Sequence, residues 1–537
     1  MRKFLLFFAF ICSLWAVAQE KKLVYLENAN ELSFDSKRSN DYQILRGNVR
    51  FRHDDAIMNC DSAYFYDKVN SFDAFGHVVI NQGDTLHIYG DYLRYDGNNQ
   101  VAALRKNIRM VNRSITLTTD SFNYDRGQNI AYYFGGGKLE DASNTLTSSR
   151  GQYFPSSKVS VFKKDVHLNN EKMDLFTDTL RYNTQTAVAT ILGPSHIYHD
   201  SIYIYSENGW YDTKNELSEL KYKSFIRNKD GMYMTGDLLK YDQQSNIAKG
   251  YDRVELRDSA NYISIKGDEM VFYEKEKHGF VTKNVLITEF SSTDSLYFHS
   301  DSVFYSTTID TLENVEYSNV DAYYNVRFYR SDMQGKCDSI HYSTQDSIME
   351  MYNEPLLWSD ENQLSGNFIK IFMKGKSLDR IFIEGNSFIV SQEKIDTTKF
   401  NQISGKQITA YADDGKLRKI LVDGNAQSLY YASEEDGSYV GGNRAESSYL
   451  TIYMNSNGKL DRIVMTPASE GTFSPLEKLN PEDLFLNGFE WFEDVRPKQK
   501  DDIFLIYKKP KKTSVEVKRE VKKSRKKQVG YQVEEDK

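Results

Sequence analysis

The feature that most constrains this chain is an internal repeat of about thirty residues. In each copy an aspartate is followed two residues later by an apolar residue and four residues later by Tyr or Phe. Because a repeat of this length cannot bury its apolar side chains alone, successive copies must stack to form a continuous core. The clearest copies begin at Asp61, Asp91, Asp120, Asp178, Asp237, Asp268, Asp301 and Asp338.

A second motif alternates with the first and consists of Gly or Lys, a polar residue, and then an alternating apolar pair, as in Gly47–Phe51. Side chains on a strand point to opposite faces in turn, so Val49 and Phe51 share one face and Arg50 lies on the other. The pattern predicts strands with one apolar and one solvated face. The 38 Tyr and 31 Phe of the chain also favour strands.

Polar stretches such as Asp96–Gln100 separate the two motifs and predict hairpin connections. We expect the aspartate of the first motif to share a face with the apolar residues two and four positions later. Its carboxylate is expected to accept hydrogen bonds from backbone N–H groups of the neighbouring turn. The predicted fold class is therefore all-β: an elongated, repeat-built β-jellyroll or β-solenoid with an apolar inner groove.

The sequence predicts four regions. Residues 1–18 resemble a signal peptide, with Arg2 and Lys3 before an apolar run and Ala16-Val17-Ala18 as the cleavage site. Residues 19–470 hold the repeats, as one domain or several consecutive subdomains. Residues 471–507 are expected to cap the last repeat with a short helix, and residues 508–537 to form a charged, disordered tail.

Charge is distributed unevenly along the chain. Residues 508–527 contain eleven Lys and Arg against two Glu, a net charge of +9, whereas the whole chain carries -8. The rest of the chain is therefore acidic, which argues against nucleic-acid binding, because clustered positive charge dominates that interaction.

The sequence shows no constellation typical of catalysis. The repeat aspartates are spread along the chain, and there is no phosphate-binding loop, paired-cysteine spacing or H-E-x-x-H motif. We predict no enzyme activity and no cofactor or metal. Cys60 and Cys337 are expected to be buried and unbonded. The histidines are expected to lie mostly at outward, solvated positions, namely His53, His77, His87, His167, His196, His199, His278, His299 and His341.

The two motifs together resemble the OstA-like family, the periplasmic lipopolysaccharide-transport proteins of the LptA type and the N-terminal domain of LptD. The resemblance rests on G-N-V-x-Φ at Gly47–Phe51 and D-x-Φ-x-Y-D at Asp91–Asp96 and Asp237–Asp242, and it covers residues 30 to 470. The chain is longer than the small bridge proteins of that family. Unlike for LptD, we expect no outer-membrane barrel after the last repeat.

This resemblance implies a β-jellyroll through which lipid A acyl chains pass between the inner and outer membranes. The implied partners are lipopolysaccharide or a related lipid, other transport-bridge proteins joined by stacking of edge strands, and outer-membrane assembly components, but no nucleic acid. The implied location is the periplasm, including its outer-membrane surface. The residues expected to line the groove are Val49, Phe51, Val78, Ile80, Ile108, Met110, Val166, Leu168, Val254, Leu256, Val285 and Ile287.

Two other functions compete with lipid transport. The first is a structural or adhesive exported β-solenoid with a closed core and no lipid cargo, which the alternating pattern alone supports about equally well. The second is a carbohydrate-active β-helix enzyme, which requires several Asp or Glu residues in one groove. The sequence shows no such cluster.

Overall fold

A computed structural model describes residues 23–505, except 35–40, 230, 261, 291–293, 311–314, 376, 414–415, 435–437, 456–459 and 481–482. The predicted signal peptide and the basic tail lie outside the described residues. The chain divides into two compact units, unit 1 up to Lys283 and unit 2 from Asn284. In the described part of each unit, nearly all regular structure is antiparallel β-strand, which confirms the predicted fold class.

Unit 1 is built from hairpin-connected strands of mostly ten to twelve residues. They are β1 (Tyr25–Asn28), β2 (Glu31–Ser33), β3 (Gln43–His53), β4 (Ala56–Tyr66), β5 (Ser71–Gln82), β6 (Leu86–Asp96), β7 (Val101–Asn112), β8 (Ile115–Asp125), β9 (Ile130–Glu140), β10 (Thr145–Phe154), β11 (Val159–Asn169), β12 (Met173–Asn183), β13 (Val188–Ile191), β14 (Ser195–His199), β15 (Ile202–Ser206), β16 (Asn208–Asp212), β17 (Leu217–Asn228), β18 (Tyr233–Asp242), β19 (Ile247–Asp258), β20 (Ile263–Tyr273) and β21 (His278–Glu289), which contains the division between the units.

Unit 2 continues the same pattern with several longer strands. They are β22 (Leu296–Asp310), β23 (Val315–Arg330), β24 (Met333–Ser343), β25 (Ile348–Tyr352), β26 (Leu356–Ser359), β27 (Asn362–Ser365), β28 (Phe368–Lys374), β29 (Ser377–Gln392), β30 (Phe400–Asp413), β31 (Lys416–Ser433), β32 (Tyr439–Met454), β33 (Leu460–Thr466) and β34 (Glu470–Pro475). Short 3₁₀ turns lie at Asp67–Val69, Leu476–Lys478, Glu493–Val495 and Lys500–Phe504.

The second sequence motif marks a corner in the middle of a strand. Its first two residues both have positive φ, as at Gly47 (72°) and Asn48 (47°), and the β3–β4 pairing shifts register at the same point. Two successive left-handed residues cannot continue a flat strand, so the strand bends there. Corners of this kind lie at 47/48, 76/77, 106/107, 135/136, 164/165, 222/223, 252/253, 283/284, 324/325, 353/354, 385/386 and 424/425.

The corners fold the strands back on themselves into two half-sheets. In unit 1, half-sheet 1 carries the hairpins that end strands such as β6, and half-sheet 2 carries those that end strands such as β3. Phe51 pairs with Met58 in its own ladder, yet its ring stacks on Phe72 of half-sheet 1 with centroids 4.0 Å apart. Contact between rings so far apart along the ladder requires the inner faces of the half-sheets to meet.

The repeat aspartate lies at the corner, which corrects our expectation that it shares a face with the apolar residues after it. Asp91 is exposed, whereas Leu93 and Tyr95 are buried, because the β6–β7 ladder shifts register between Tyr89 and Tyr92. The side-chain alternation therefore changes between the aspartate and the rest of its motif.

The partner of the repeat aspartate is the side chain of a corner residue in the next strand. Asn107 Nδ2 donates to Asp91 at 2.6 Å, and Arg253 donates two hydrogen bonds to Asp237 at 2.8 and 3.0 Å. Further pairs of this kind are Asp61–His77, Asp301–Asn325 and Asp338–Asn353.

The predicted hairpin-capping carboxylate is instead the aspartate that ends the motif. Asp96 Oδ1 accepts backbone N–H bonds from Asn98 and Asn99, both at 3.0 Å, and Asp242 does the same for Gln244 and Ser245. These Asx turns explain why polar residues follow each motif.

Corner geometry yields one prediction about stability. A Cβ on Gly76 (φ 74°) would lie 2.3 Å from Asp61 Oδ2, whereas a Cβ on Gly83 (φ 57°) would have no atom within 4 Å. Both Gly→Ala changes incur the left-handed backbone cost of about 1 kcal/mol, but only Gly76→Ala also displaces the corner carboxylate. We expect Gly76→Ala to lower the free energy of unfolding by about 1 kcal/mol more than Gly83→Ala in urea titrations. Equal effects would contradict this account.

In unit 2, half-sheet 2 holds the residues that follow corners such as 324/325. The segment after β34 covers the outer face of this half-sheet. This segment, residues 476–480 and 483–505, is called the C-terminal segment below. Three glutamines at equivalent repeat positions, Gln334, Gln363 and Gln402, are buried beneath it. Gln363 accepts from Phe492 N at 2.8 Å and donates to Glu490 O at 2.9 Å.

The same arrangement recurs along the segment. Gln402 accepts from Leu486 N at 2.8 Å and donates to Leu484 O at 3.0 Å, and Arg496 Nε donates to Gln334 at 2.8 Å. Near the end of the segment, the Arg327 guanidinium donates to the Leu505 carbonyl. The segment thus crosses successive strands from β32 back to β22.

Apolar side chains fill the space between the C-terminal segment and the strands. Leu486 packs with Phe388, Val390, Leu429 and Tyr431 in one cluster. Val495 packs with Leu356 and Trp358 in another cluster. Unit 2 therefore has an outer core in addition to the inner one. The expectation that the outer face is solvated is wrong for this part of unit 2.

Candidate functional site

The structure places the predicted groove residues on the inner face of half-sheet 2, at the second and fourth positions after the first corner residue. Ten of the twelve are buried, and Leu256 and Ile287 are partly buried. Several, including Val49, Phe51, Ile108 and Leu168, have no exposed surface. The inner faces of the two half-sheets thus cover each other, and the role of these residues as a lipid lining stays a prediction.

The opposite wall comes from half-sheet 1, whose inner residues were absent from our prediction. Leu93, Tyr95, Leu104 and Phe122 are buried there. Leu93, Tyr95 and Phe122 are the apolar and aromatic residues that follow a repeat aspartate, and Leu104 pairs with Leu93 on the next strand. The first sequence motif therefore contained the pattern that marks this wall.

Opposite the corners, the two rows of hairpin turns of unit 1 face each other along a line that we call the seam. Arg126 of the β8–β9 turn pairs with Asp54 at 3.3 Å and with Asp55 across the seam. Lys172 and Glu216 form a second pair at 2.6 Å, and Tyr182 donates to Asp141 at 3.1 Å. An ion pair with one exposed partner, such as Lys172–Glu216, contributes about 0–1 kcal/mol, whereas Tyr182 is buried.

A cavity of about 310 Å³ opens at the seam of unit 1. Its floor is formed by inner-face residues Ile88, Met110, Phe122 and Ala131, and its rim by turn residues from both rows. The rim carries two cations, Arg113 and Lys158, and one carboxylate, Asp55, which is paired with Arg126. Met110, one of the predicted groove residues, therefore lines an opening that joins the apolar interior to a cationic rim.

A second cavity, of about 640 Å³, lies farther along the same seam. Lys172, Asp200, Glu216 and Glu274 contribute charged side chains to its lining. The adjoining His199 is buried, and loss of hydration lowers the pKa of its imidazole. Ile202 and Tyr241 add apolar surface to the same lining.

The histidines differ partly from our expectation. His53 and His199 lie on the inner face, and His53 Nδ1 is 2.5 Å from the Tyr95 hydroxyl. His299 lies on the outer face but is buried because the ring of Phe504 packs on it, 4.7 Å away. These three side chains fill the protein interior, while the other six are exposed or partly exposed.

The cysteines are as predicted. Cys60 and Cys337 are buried free thiols just before a repeat aspartate. Burial raises the pKa of Cys60 to about 12 and raises that of Cys337 as well. Both thiols are therefore protonated and poorly reactive at neutral pH.

Two further findings concern only the part of the chain that the structure describes. It contains no group of three or more His, Cys, Asp or Glu side chains arranged to hold a metal ion. Nor do the described residues include a helix with the length and apolarity needed to cross a membrane.

Comparison with known proteins gives one family. Residues 21–178 match the family model of OstA-like proteins. The matched part includes the corners from 47/48 to 164/165 and the cavity with the Met110 floor. No curated protein matches the chain.

Proposed function

We propose that the protein carries lipopolysaccharide or a related lipid across the periplasm and shields its acyl chains between the two half-sheets. The single observation that carries this proposal is the 310 Å³ cavity, which joins an apolar floor around Met110 to a rim with Arg113 and Lys158. Acyl chains fit the floor, and phosphate groups fit the rim, where cations form charge-assisted hydrogen bonds. The family match over residues 21–178 supports the same function.

Loading requires the half-sheets to move apart, because their inner faces are in contact. The ion pairs of the seam at Arg126 and Lys172 each contribute little to stability. Each methylene group of an acyl chain contributes about 0.8 kcal/mol when it is buried. A lipid with several chains therefore offsets the loss of contacts between the inner faces.

A second candidate function is a structural or adhesive exported protein with a closed core. The observation that favours it is the mutual burial of the inner faces, as in the stacked pair Phe51–Phe72. A closed core excludes lipid, so lipid binding discriminates between the two functions.

Site-specific photo-crosslinking in cells tests the proposed function. A photo-reactive residue in place of Val78, Met110 or Val254, all buried inside, is expected to capture lipopolysaccharide. The control positions are Arg50 and Arg109, which are exposed on the outer face. They lie on β3 and β7, next to the inner residues Val49 and Met110. Capture from Arg50 and Arg109 alone would contradict the proposal.

The rim cations yield a separate prediction. We expect the double change Arg113→Glu and Lys158→Glu to weaken binding of purified lipopolysaccharide by about tenfold or more, because two attractive charges become repulsive. The urea unfolding midpoint should stay unchanged. Arg94→Glu together with Lys163→Glu, at outer positions of unit 1, serves as the control. An equal loss of binding in the control would show a diffuse charge effect.

A further inference from the structure

The outer face of half-sheet 2 in unit 1 carries a row of partly exposed rings that the proposed function does not explain. His167, Phe176, His196, Tyr205 and Phe225 lie directly opposite one another across β11, β12, β14, β15 and β17. Adjacent strands are about 4.8 Å apart, so the row extends for roughly 19 Å across the strands. We call this row, with its neighbours Tyr198 and Tyr203, the aromatic face.

Neighbouring rings of the aromatic face pack on one another and are partly exposed to solvent. His167 and Phe176 stack with centroids 4.2 Å apart, and Tyr205 and Phe225 with centroids 5.6 Å apart. Phe176 is 41% exposed and Tyr198 is 49% exposed. Clustered exposed rings of this kind mark interaction surfaces more often than isolated ones do.

The same repeat positions are covered in unit 2 by the C-terminal segment. Phe225 and Phe388 are both the third residue after their first corner residue. Tyr198 lies in the same cross-strand row as Arg227, the fifth residue after its first corner residue, and Trp358 is likewise the fifth residue after its own. In unit 2 these positions hold the outer core beneath the C-terminal segment. Unit 1 thus presents aromatic side chains at positions where unit 2 binds a peptide.

Charge indicates the kind of peptide that fits the aromatic face. Residues 476–505 contain eight Asp and Glu against four Lys and Arg, together with many Leu and Phe. The aromatic face is edged by Arg227, whose guanidinium lies 5.0 Å from the centre of the Tyr203 ring, and by Lys223, which is paired with Glu207 at 3.6 Å. Two carboxylates beside the face already have partners: Asp174 is paired with His167 at 2.6 Å, and Glu207 accepts a hydrogen bond from the Tyr205 hydroxyl at 3.0 Å.

We infer that the aromatic face of unit 1 binds an acidic, leucine- and phenylalanine-rich peptide segment of a partner protein. The segment crosses the strands as the C-terminal segment does on unit 2. Its apolar side chains pack on the rings, and its carboxylates face Arg227. This interaction is independent of lipid binding, because the aromatic face lies on the opposite side of the half-sheet from the inner residues.

A synthetic peptide with the sequence of residues 476–505 is the probe, added to the full-length protein, whose own segment already occupies unit 2. A photo-crosslinker at Tyr198 should label the peptide, and one at Thr118, an exposed outer position on β8, should not. Phe176→Ser with Phe225→Ser should weaken binding at least about tenfold. Replacing the acidic residues of the peptide by their amides should weaken binding as well. Because Phe176 is 41% exposed and Phe225 is partly exposed, the double variant should still fold and unfold in one cooperative thermal transition.

Four results would overturn the inference. The first is absence of peptide binding. The second is binding that depends on Gln363 and Gln402 but not on Phe176 and Phe225, which places the peptide on unit 2. The third is crosslinked dimers of the full-length protein from Tyr198 without peptide, which makes a second copy the occupant. The fourth is displacement of the peptide by the delipidated saccharide of lipopolysaccharide, which identifies a glycan surface.

Discussion

A chain that ends after Pro475 should lose much of the stability of unit 2. Removal of the C-terminal segment uncovers Trp358, Phe388, Val390, Leu429 and Tyr431, all buried in the outer core. Full burial of each side chain contributes about 1.5–3 kcal/mol, so we expect the free energy of unfolding of unit 2 to fall by roughly 5–10 kcal/mol. Hydrogen exchange followed by mass spectrometry should show faster exchange in β26–β32 and unchanged exchange in β3–β12.

The matched control ends after Leu505 and removes only residues 506–537. Because this variant keeps every described contact of the C-terminal segment, its exchange should equal that of the full chain in both units. Unchanged protection of β26–β32 in the shorter variant would show that the outer core contributes little to stability.

A carboxylate on the inner face should have the second large effect. Ile108 has no exposed surface, so Ile108→Asp places a charge, or a proton-bearing carboxyl group, among apolar side chains. We expect a loss of about 4 kcal/mol or more in the free energy of unfolding, because an isolated buried charge has no compensating partner. The urea unfolding midpoint measures this loss.

Arg109→Asp provides the control on the adjacent residue of β7. Arg109 is exposed on the outer face, where it contacts the Tyr89 ring with its guanidinium 5.9 Å from the ring centre. Replacing Arg109 by Asp should change the free energy of unfolding by no more than about 1 kcal/mol. Similar losses at both positions would contradict the assignment of inner and outer faces.

The repeat sequence predicts the strands and the inner face of half-sheet 2 because side-chain alternation is local. Val166 and Leu168 lie inside and His167 lies outside, as the period of two requires. The corners break this period, and that explains why Asp91 does not share the face of Leu93 and Tyr95. A pair of left-handed residues changes the register at each corner. Lysine and asparagine adopt this conformation here as glycine does, as at Lys106 and Asn107, so residue type alone does not reveal where a corner lies.

The outer core was missed although the sequence contained a signal for it. Leu356-Leu357-Trp358 and Phe388-Ile389-Val390 are apolar without alternation, which is typical of strands buried on both faces. The identity of the covering segment depends on contacts between residues more than eighty positions apart, such as Gln402 with Leu486. Such contacts leave no local pattern in the sequence. The cavity rim at Arg113 and Lys158 was also beyond prediction, because it joins turns of separate hairpins.

Identification of the bound lipid tests the central claim most directly. The measurement is native mass spectrometry of the protein purified from its own envelope, followed by extraction and fragmentation of any bound molecule. Our account predicts a lipid with several acyl chains and an anionic phosphate group, released when Arg113 and Lys158 are both changed to Glu. A protein that carries no lipid, and whose interior also excludes lipid dyes, would contradict the account and establish the closed core.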